Sequence, residues 1–289
     1  MTRDDKREMA EGAEAKEWFF ILQSFTDREF EKYRRLIYEK SGIHLSDVKK
    51  DTLKAKLHKL MARNSMYSYD EYYNTLVTDR DKRNIIEFIN EITINKTDFF
   101  RENNHFDFIK CKIQWILEKN PRILRNREIR VWSAGCSTGE EAYTLAFVLK
   151  ECLPENINIK ILATDICSKV LIIAGKGIYP SRIKDEIDRY YLARYFERSE
   201  NEYKVVDGIR ELVTLRQFNL MDAFPFSNTF DMIFCRNVMI YFDTKTQQSL
   251  LDKFYSVTAP GGLLFLGHSE SLINKRHRYQ YIQPTIYSK

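Results

Sequence analysis

The chain has 289 residues, 44% of them hydrophobic and 30% charged, the balance of an ordinary globular protein with room for one large domain or two smaller ones. With 46 Lys and Arg against 41 Asp and Glu, the net charge is only +5, a weak pull toward anionic partners and too little to mark a nucleic-acid binder. No segment reaches the ~18 consecutive apolar residues of a membrane span, the start "MTRDDKREMAEGAEAKEWFF" lacks a signal-peptide core, and the five scattered cysteines (Cys111, Cys136, Cys152, Cys167, Cys235) form no CxxC pair or metal-ligand spacing, so a cytoplasmic protein with reduced thiols is expected.

Residues 1–15 read as a polar, disordered leader. From 16 to 92 the pattern is helical, with no proline. In "DREFEKYRRLIYEKSGIHL" Phe30, Tyr33, Leu36 and Ile37 recur at helical spacing as far as Ser41-Gly42. "SDVKKDTLKAKLHKLMARNS" opens on a Ser46/Asp47 cap and aligns Leu53, Leu57, Leu60 and Met61. "SYDEYYNTLV" and "DKRNIIEFINEIT" complete a small helical bundle. A linking segment, 93–127, begins with "TINKTDFFRENNHFDFI" and continues into a helix that Asn120-Pro121 stops.

From 128 to 289 strands and helices alternate: "EIRVWSAG", "EEAYTLAFVLKEC", "INIKILATDI", "SKVLIIAGKG", then "FDMIFCRN", "TKTQQSLLDKFYSVT" and "GGLLFLG". Near-continuous apolar strands separated by helices predict a mostly parallel, doubly wound sheet. Between about 177 and 217 the alternation breaks. There "EYKVV" and "ELVTLRQF", either side of Asp207-Gly208, read as a hairpin in a small antiparallel subdomain inserted between sheet strands.

Ligands of open α/β sheets sit at the carboxyl ends of the strands. The first strand ends in "SAGCSTGEE", where Gly135 and Gly139 allow close backbone approach. Their G-x-x-x-G spacing is neither the dinucleotide fingerprint nor a P-loop. Glu140 and Glu141 would repel a phosphate at this helix start and attract a ligand carrying an ammonium and a sulfonium. First-turn acids also complement a helix dipole with no ligand at all. Asp165 ends the next strand in "TDI", where a carboxylate holds ribose hydroxyls or caps the following helix. Together these features favour S-adenosylmethionine over NAD or ATP. His268 in "GHSE" reads as structural, and no Ser-His-Asp or Cys-His arrangement is present.

The segments "INKTDFFRE", "VWSAGCSTGEEAYTLA", "ATDI", "FNLMD", "FDMIFCRNVMIYF" and "GGLLFLGHSESL" resemble, in this order, those of the CheR family, the chemotaxis-receptor glutamate methyltransferases. The resemblance runs from about residue 25 to 285, and "FFRE" with "CRNVMIYF" is its most specific part. It implies an α/β fold: a Rossmann-like S-adenosylmethionine-dependent methyltransferase domain with an inserted antiparallel β-subdomain, preceded by an all-α domain. The implied reaction is methyl transfer to glutamate side chains of the cytoplasmic domain of a chemoreceptor, leaving S-adenosylhomocysteine, with no metal, nucleic acid or membrane insertion. A cytoplasmic monomer recruited to receptor arrays is expected.

Carried across by motif, Asn95, Thr97 and Arg101 would reach the pocket, and Glu140 or Glu141 would meet the methionine ammonium. Asp165 would hold the ribose, Asn219 and Leu220 would flank the adenine, and Asn237 and Val238 would line the pocket beside it. Tyr241 would stand close to the transferred methyl, with Arg101 holding the incoming carboxylate or organising the cofactor's own. Ala142 departs from the proline common in the family, a loss of local rigidity rather than of chemistry. Lys49, Lys56, Lys59 and Arg63 form a basic stripe that the resemblance lays against the acidic methylation helices of the receptor, although such runs are as often merely solvated. Two other readings compete: a methyltransferase for RNA or another acceptor, which "CRNVMIY" disfavours by lacking the proline of an N-x-P-x-aromatic loop, and a cofactor-sensing module without transfer, which the intact "FFRE" and "NVMIY" disfavour.

Overall fold

Thr26 decides where the first helix of the described residues begins. In the computed structural model, which describes residues 25–272 and 275–289, the Thr26 hydroxyl accepts from the Glu29 amide at 3.2 Å and the Glu29 carboxylate accepts from the Thr26 amide at 2.6 Å, a reciprocal cap that satisfies two otherwise orphaned donors. The leader expected over 1–15 lies outside the described residues. Helix α1 (Asp27–Ser41) ends on Gly42, whose φ of +75° closes it. Helix α2 (Lys50–Arg63) is entered through a 3-10 turn over Asp47–Lys49; Ser46 makes no side-chain cap there. Helices α3 (Tyr69–Thr78) and α4 (Arg83–Ile92) follow. The stripes read from the sequence meet in one core, with Tyr33, Ile37, Leu57, Leu60, Met61 and Phe88 fully buried. The Tyr33 hydroxyl is satisfied inside it by the Tyr69 carbonyl at 2.6 Å.

The chain divides into two compact units between Thr93 and Ile94. In the second, α5 (Asn104–Lys119) and α6 (Arg122–Asn126) lead into β1 (Glu128–Ala134), α7 (Glu140–Cys152), β2 (Asn158–Asp165) and α8 (Ser168–Lys176). After β3 (Ile178–Pro180), α9 (Arg189–Tyr195), β4 (Phe196–Arg198), β5 (Glu202–Val205) and α10 (Asp207–Arg210) come β6 (Val213–Gln217), β7 (Phe230–Cys235), α11 (Thr244–Val257), β8 (Thr258–Leu266), β9 (Gln280–Gln283) and β10 (Ile286–Ser288). The large sheet has the order β6-β2-β1-β7-β8-β10-β9. Its first five strands are parallel, and β10 runs antiparallel to β8 and β9.

Alternation along the central strands builds two cores. Val131, Met232, Phe234 and Phe265 face one layer with α5 and α7, and Trp132, Ile233 and Leu264 face the other with α11. Trp132 is ringed by Phe218, Phe224, Phe226, Phe230 and Phe254 at centroid distances of 4.8–6.1 Å. Its indole N–H still finds the Thr164 hydroxyl at 2.9 Å, so a large apolar body is buried with no polar group stranded. Burial of each such ring contributes roughly 1.5–3 kcal/mol.

The expected hairpin of "EYKVV" and "ELVTLRQF" does not form. β5 pairs with β3 and β4 in a separate antiparallel sheet, whereas β6 joins the large sheet parallel to β2, from Ile161 opposite Val213 to Asp165 opposite Gln217. Asp207-Gly208 opens the helical turn α10, held where the Arg210 guanidinium donates to the Gly175 carbonyl at 2.8 Å. The terminal antiparallel pair β9 and β10 was also absent from the sequence-based expectation.

Candidate active site

β1 and β2 end side by side, and the loop after β1 folds back over both. The Gly135 and Cys136 amides donate to the Thr164 carbonyl at 2.8 and 2.9 Å. Gly135 has φ +89°, and a Cβ there would stand 2.4 Å from Val238 Cγ2. The glycine is therefore needed to admit Val238 as well as to form the turn. One residue further, the Ser137 amide donates to the Asp165 carboxylate at 2.9 Å, which also accepts from the Cys167 amide at 2.9 Å. Burial pushes the Asp165 carboxyl up, opposed by these amide bonds. A carboxylate has about four lone-pair sites, so Asp165 both braces the loop and keeps acceptor capacity for hydroxyls.

Asn95 reaches the same place from the segment before α5. Its side-chain amide donates to Cys167 Sγ at 3.6 Å, and its carbonyl accepts from the Ser137 hydroxyl at 2.9 Å. Thr97 is half-buried two residues on. Farther along the rim, Asn219 Oδ1 accepts from the Met221 amide at 3.0 Å. Leu220 is buried in the Trp132 core. The Lys253 ammonium donates to the carbonyls of Leu220, Met221 and Asp222 at 3.0, 2.9 and 2.9 Å, pinning that turn.

The two neighbouring glutamates diverge. Glu140 accepts from the Thr138 hydroxyl at 2.6 and 2.8 Å; burial, with Glu186 and Asp98 nearby, pushes its carboxyl up to about 7. Glu141 turns toward the strand ends, accepting from the Ser133 hydroxyl at 2.7 Å and standing 3.6 Å from Arg236 Nε. Burial pushes its carboxyl up as well, with the Arg236 cation the main opposing influence.

Arg236 was not singled out from the sequence, and it is central. Its side chain is 2% exposed, lies between Glu102 at 3.5 Å and Glu141 at 3.6 Å, and packs over the Phe106 ring at 5.3 Å. One terminal nitrogen donates to the Arg101 carbonyl, while Nε and Nη1 make no hydrogen bond. A buried guanidinium with spare donors is a site for an anion. With Glu141 beside it, the strand ends present a carboxylate and a guanidinium together, a pairing that fits the ammonium and carboxylate of an amino-acid moiety. No spacing in "CRNVMIYF" signals such burial.

Tyr241 lies half-buried in a 3-10 turn over Met239–Tyr241. Burial pushes its phenol up, and the Arg101 cation, which also acts on Glu141, opposes the shift. The "FFR" and "MIY" segments thus converge. Glu270, also unassigned from the sequence, clamps the second of them: it accepts from the amides of Asn237, Ile240 and Gly267 at 2.9, 3.2 and 2.6 Å. Asn237 donates in turn to Glu102 at 3.1 Å. Phe100, Glu102, Ser137 and Asn237 all have φ between +48° and +58°, a backbone strain on the order of 1–3 kcal/mol each gathered at one end of the sheet.

In the first unit the basic stripe is largely engaged by α4. Lys59 pairs with Glu91 at 2.6 Å, and Arg63 with Glu91 and Glu87 at 3.3 and 3.7 Å. The Lys56 ammonium, lowered by burial, donates to the Ile92 carbonyl at 3.0 Å. Lys49 is exposed.

Comparison with known proteins covers both units of the chain. Residues 28–93 match the family model described as CheR methyltransferase, all-alpha domain, and residues 95–288 match CheR methyltransferase, SAM binding domain. A chemotaxis protein methyltransferase of Borreliella burgdorferi is 40% identical over 276 residues, covering 94% of this chain and 97% of its own. Chemotaxis protein methyltransferase 2 of Pseudomonas aeruginosa is 35% identical over 91% of this chain and 94% of its own. The chemotaxis protein methyltransferase of Escherichia coli is 35% identical over 92% of each. An all-α domain, a sheet whose strand ends gather opposite buried charges, and relatives matched nearly end to end place this chain in the CheR family of S-adenosylmethionine-dependent chemotaxis protein methyltransferases.

Proposed function

We propose that the chain methylates glutamate side chains on the cytoplasmic domain of a chemoreceptor. The observation that carries this reading is the buried pairing of Glu141 with Arg236 at the ends of β1 and β7. Bound there, S-adenosylmethionine supplies an electrophilic methyl on a sulfonium. Glu141 takes the ammonium, supported by its turn toward the strand ends, and Arg236 offers its spare donors to the amino-acid carboxylate. Asp165 accepts the ribose hydroxyls while its amide bonds hold it in place. Asn219 and Leu220 flank the adenine on the turn fixed by Lys253. Asn95, Thr97, Asn237 and Val238 line the remaining wall.

A glutamate acceptor has an ordinary pKa of about 4.3 and arrives ionised, so the site needs no general base. Arg101 holds the incoming carboxylate, and Tyr241 keeps its oxygen aligned on the methyl. Alignment of this kind lowers barriers by up to roughly 7–11 kcal/mol in the best intramolecular cases. Too many charges around the nucleophile would stabilise the ground state instead, since transfer neutralises both partners. Lys49, Lys56, Lys59 and Arg63 are the proposed docking face for the acidic receptor helices, and the site of action is the cytoplasmic receptor array.

The test is methyl transfer from labelled cofactor to a purified receptor cytoplasmic domain, followed by mild base. Release of labelled methanol is expected, because carboxyl esters hydrolyse. Base-stable label on RNA, or no transfer despite cofactor binding, overturns the reading in favour of another acceptor or of a sensing module.

A further inference from the structure

At the base of the "FFRE" segment two buried acceptors face each other. Glu102 Oε2 and His105 Nδ1 are 3.9 Å apart, His105 is fully buried, and neither atom makes a hydrogen bond. The histidine tautomer follows from its other nitrogen. The Thr285 hydroxyl donates its proton to the Pro284 carbonyl at 2.6 Å, so its oxygen accepts from His105 Nε2 at 2.7 Å. Nδ1 is thereby left with a lone pair pointed at a carboxylate. Glu102 is likewise committed on one side only: Oε1 accepts from Asn237 Nδ2 at 3.1 Å and from the His268 amide at 3.2 Å, and Oε2 takes neither. Arg236 Nε stands 3.5 Å from the same Oε2 and faces it from one side, whereas the buried His105 Nδ1 lone pair has no hydrogen-bond donor, a cost that a cation between the two atoms would remove.

A third donor completes the cluster. His268 is exposed, its Nε2 hydrogen-bonded to Asn104 Oδ1 at 2.8 Å, and one ligand atom from each of Glu102, His105 and His268 lies within 4.8 Å of the others. We propose that these three residues form a binding site for a divalent transition-metal ion. Two imidazole nitrogens and one carboxylate oxygen suit Zn²⁺, Co²⁺ or Ni²⁺ far better than Ca²⁺ or Mg²⁺, which demand oxygen. Thr285 and Asn104 orient the two rings through their second nitrogens, as the outer shell of a metal site does. Tetrahedral Zn²⁺ with bonds of about 2.0–2.1 Å places its ligands roughly 3.3 Å apart, so 3.9 Å closes with a sub-ångström shift, and exposed His268 supplies the larger movement. Arg236 stands 3.5 Å from Glu102, but Glu141 offsets its charge. The carboxylate of Glu102 thus still leaves the cluster net negative before an ion enters.

The test is calorimetric titration of metal-free, full-length protein with Zn²⁺ in a Cys111→Ser background, which removes the exposed thiol. One ion per chain with micromolar or tighter affinity is expected. Co²⁺ should give ligand-field bands in the visible without the charge-transfer band of a thiolate. His268→Ala should weaken binding by roughly tenfold or more, while His44→Ala, exposed in the first unit, should leave it unchanged. Absence of saturable binding, or equal affinity in His268→Ala and parent, overturns the proposal.

Discussion

Glu140 and Glu141 are adjacent, yet the fold gives them different neighbours, Thr138 for the first and Ser133 with Arg236 for the second. Successive helical side chains point about 100° apart, and only the seating of α7 on the sheet decides which one meets the strand ends. That is why the sequence left the choice open. Glu140, at about 7, has a folded value raised above its ordinary 4.5. The folded chain therefore holds a proton that the unfolded chain releases between those values, and stability from this residue is lost as pH rises through the window. Glu140→Gln is expected to raise the melting temperature by a few degrees at pH 8 and by little at pH 5, with the cofactor dissociation constant within about twofold of the parent. Glu141→Gln, which removes the charge proposed to meet the cofactor's ammonium, should weaken S-adenosylmethionine binding at least about tenfold by calorimetry. If the two variants exchanged these effects, the roles assigned to them would have to be exchanged too.

Elements show where sequence patterning stops being informative. The apolar stripes of α1 and α2 were legible because each depends on residues within one or two turns, such as Leu53, Leu57 and Leu60 on one face. The N-terminal caps were not, since the expected Ser46 cap makes no side-chain bond and the reciprocal cap of Thr26 with Glu29 was not singled out. β6 was assigned to the wrong sheet, because alternation over Val213–Gln217 reports a half-buried strand and says nothing of its partner. The loop over 236–241 was legible as a motif, but its support was not, since Glu270 comes some thirty residues later. A Cβ at Gly267 would stand 2.8 Å from both the Asn237 amide nitrogen and Glu270 Oε2, so the clamp leaves no slack. Glu270→Gln puts an amide donor against backbone N–H groups. It is expected to lower kcat by roughly 10- to 100-fold with cofactor affinity little changed, and Glu270→Asp should recover part of the loss. A loss of cofactor affinity matching that of kcat would mean that Glu270 supports the whole sheet end rather than the loop bearing Tyr241. On α4, Glu91→Gln frees Lys59 from its ion pair and leaves Arg63 only its longer contact with Glu87, and receptor methylation at low salt should show a KM lower by no more than about fivefold, the scale of an exposed ion pair. The gain should fade at high salt; a KM unchanged at low salt would remove this stripe from the docking face.

At the scale of the whole molecule, the class of fold was the easiest feature to read and the cooperation between distant segments the hardest. β1, β7 and β8 are buried on both faces, so their apolar runs are continuous and announce a covered parallel sheet. Arg236, Glu102 and Glu141 become one charge system only when β7, the segment before α5 and the start of α7 are brought together, and each lies in a different part of the chain. All the proposed cofactor contacts belong to the unit beginning at Ile94, and this has a thermodynamic consequence. A ligand at 100 times its dissociation constant stabilises the state that binds it by about 2.7 kcal/mol, and about 1 kcal/mol moves the melting point of a unit of this size by roughly 2–4 °C. Calorimetric unfolding with S-adenosylmethionine at that excess should therefore raise the transition of the second unit by roughly 5–11 °C. The helical unit, with its own core around Tyr33 and Phe88, should melt where it did before. Hydrogen exchange assigns each transition to its residues. A common upward shift of both would show that the helical unit takes part in holding the cofactor, and the list of contacts at the strand ends would then have to be extended into it.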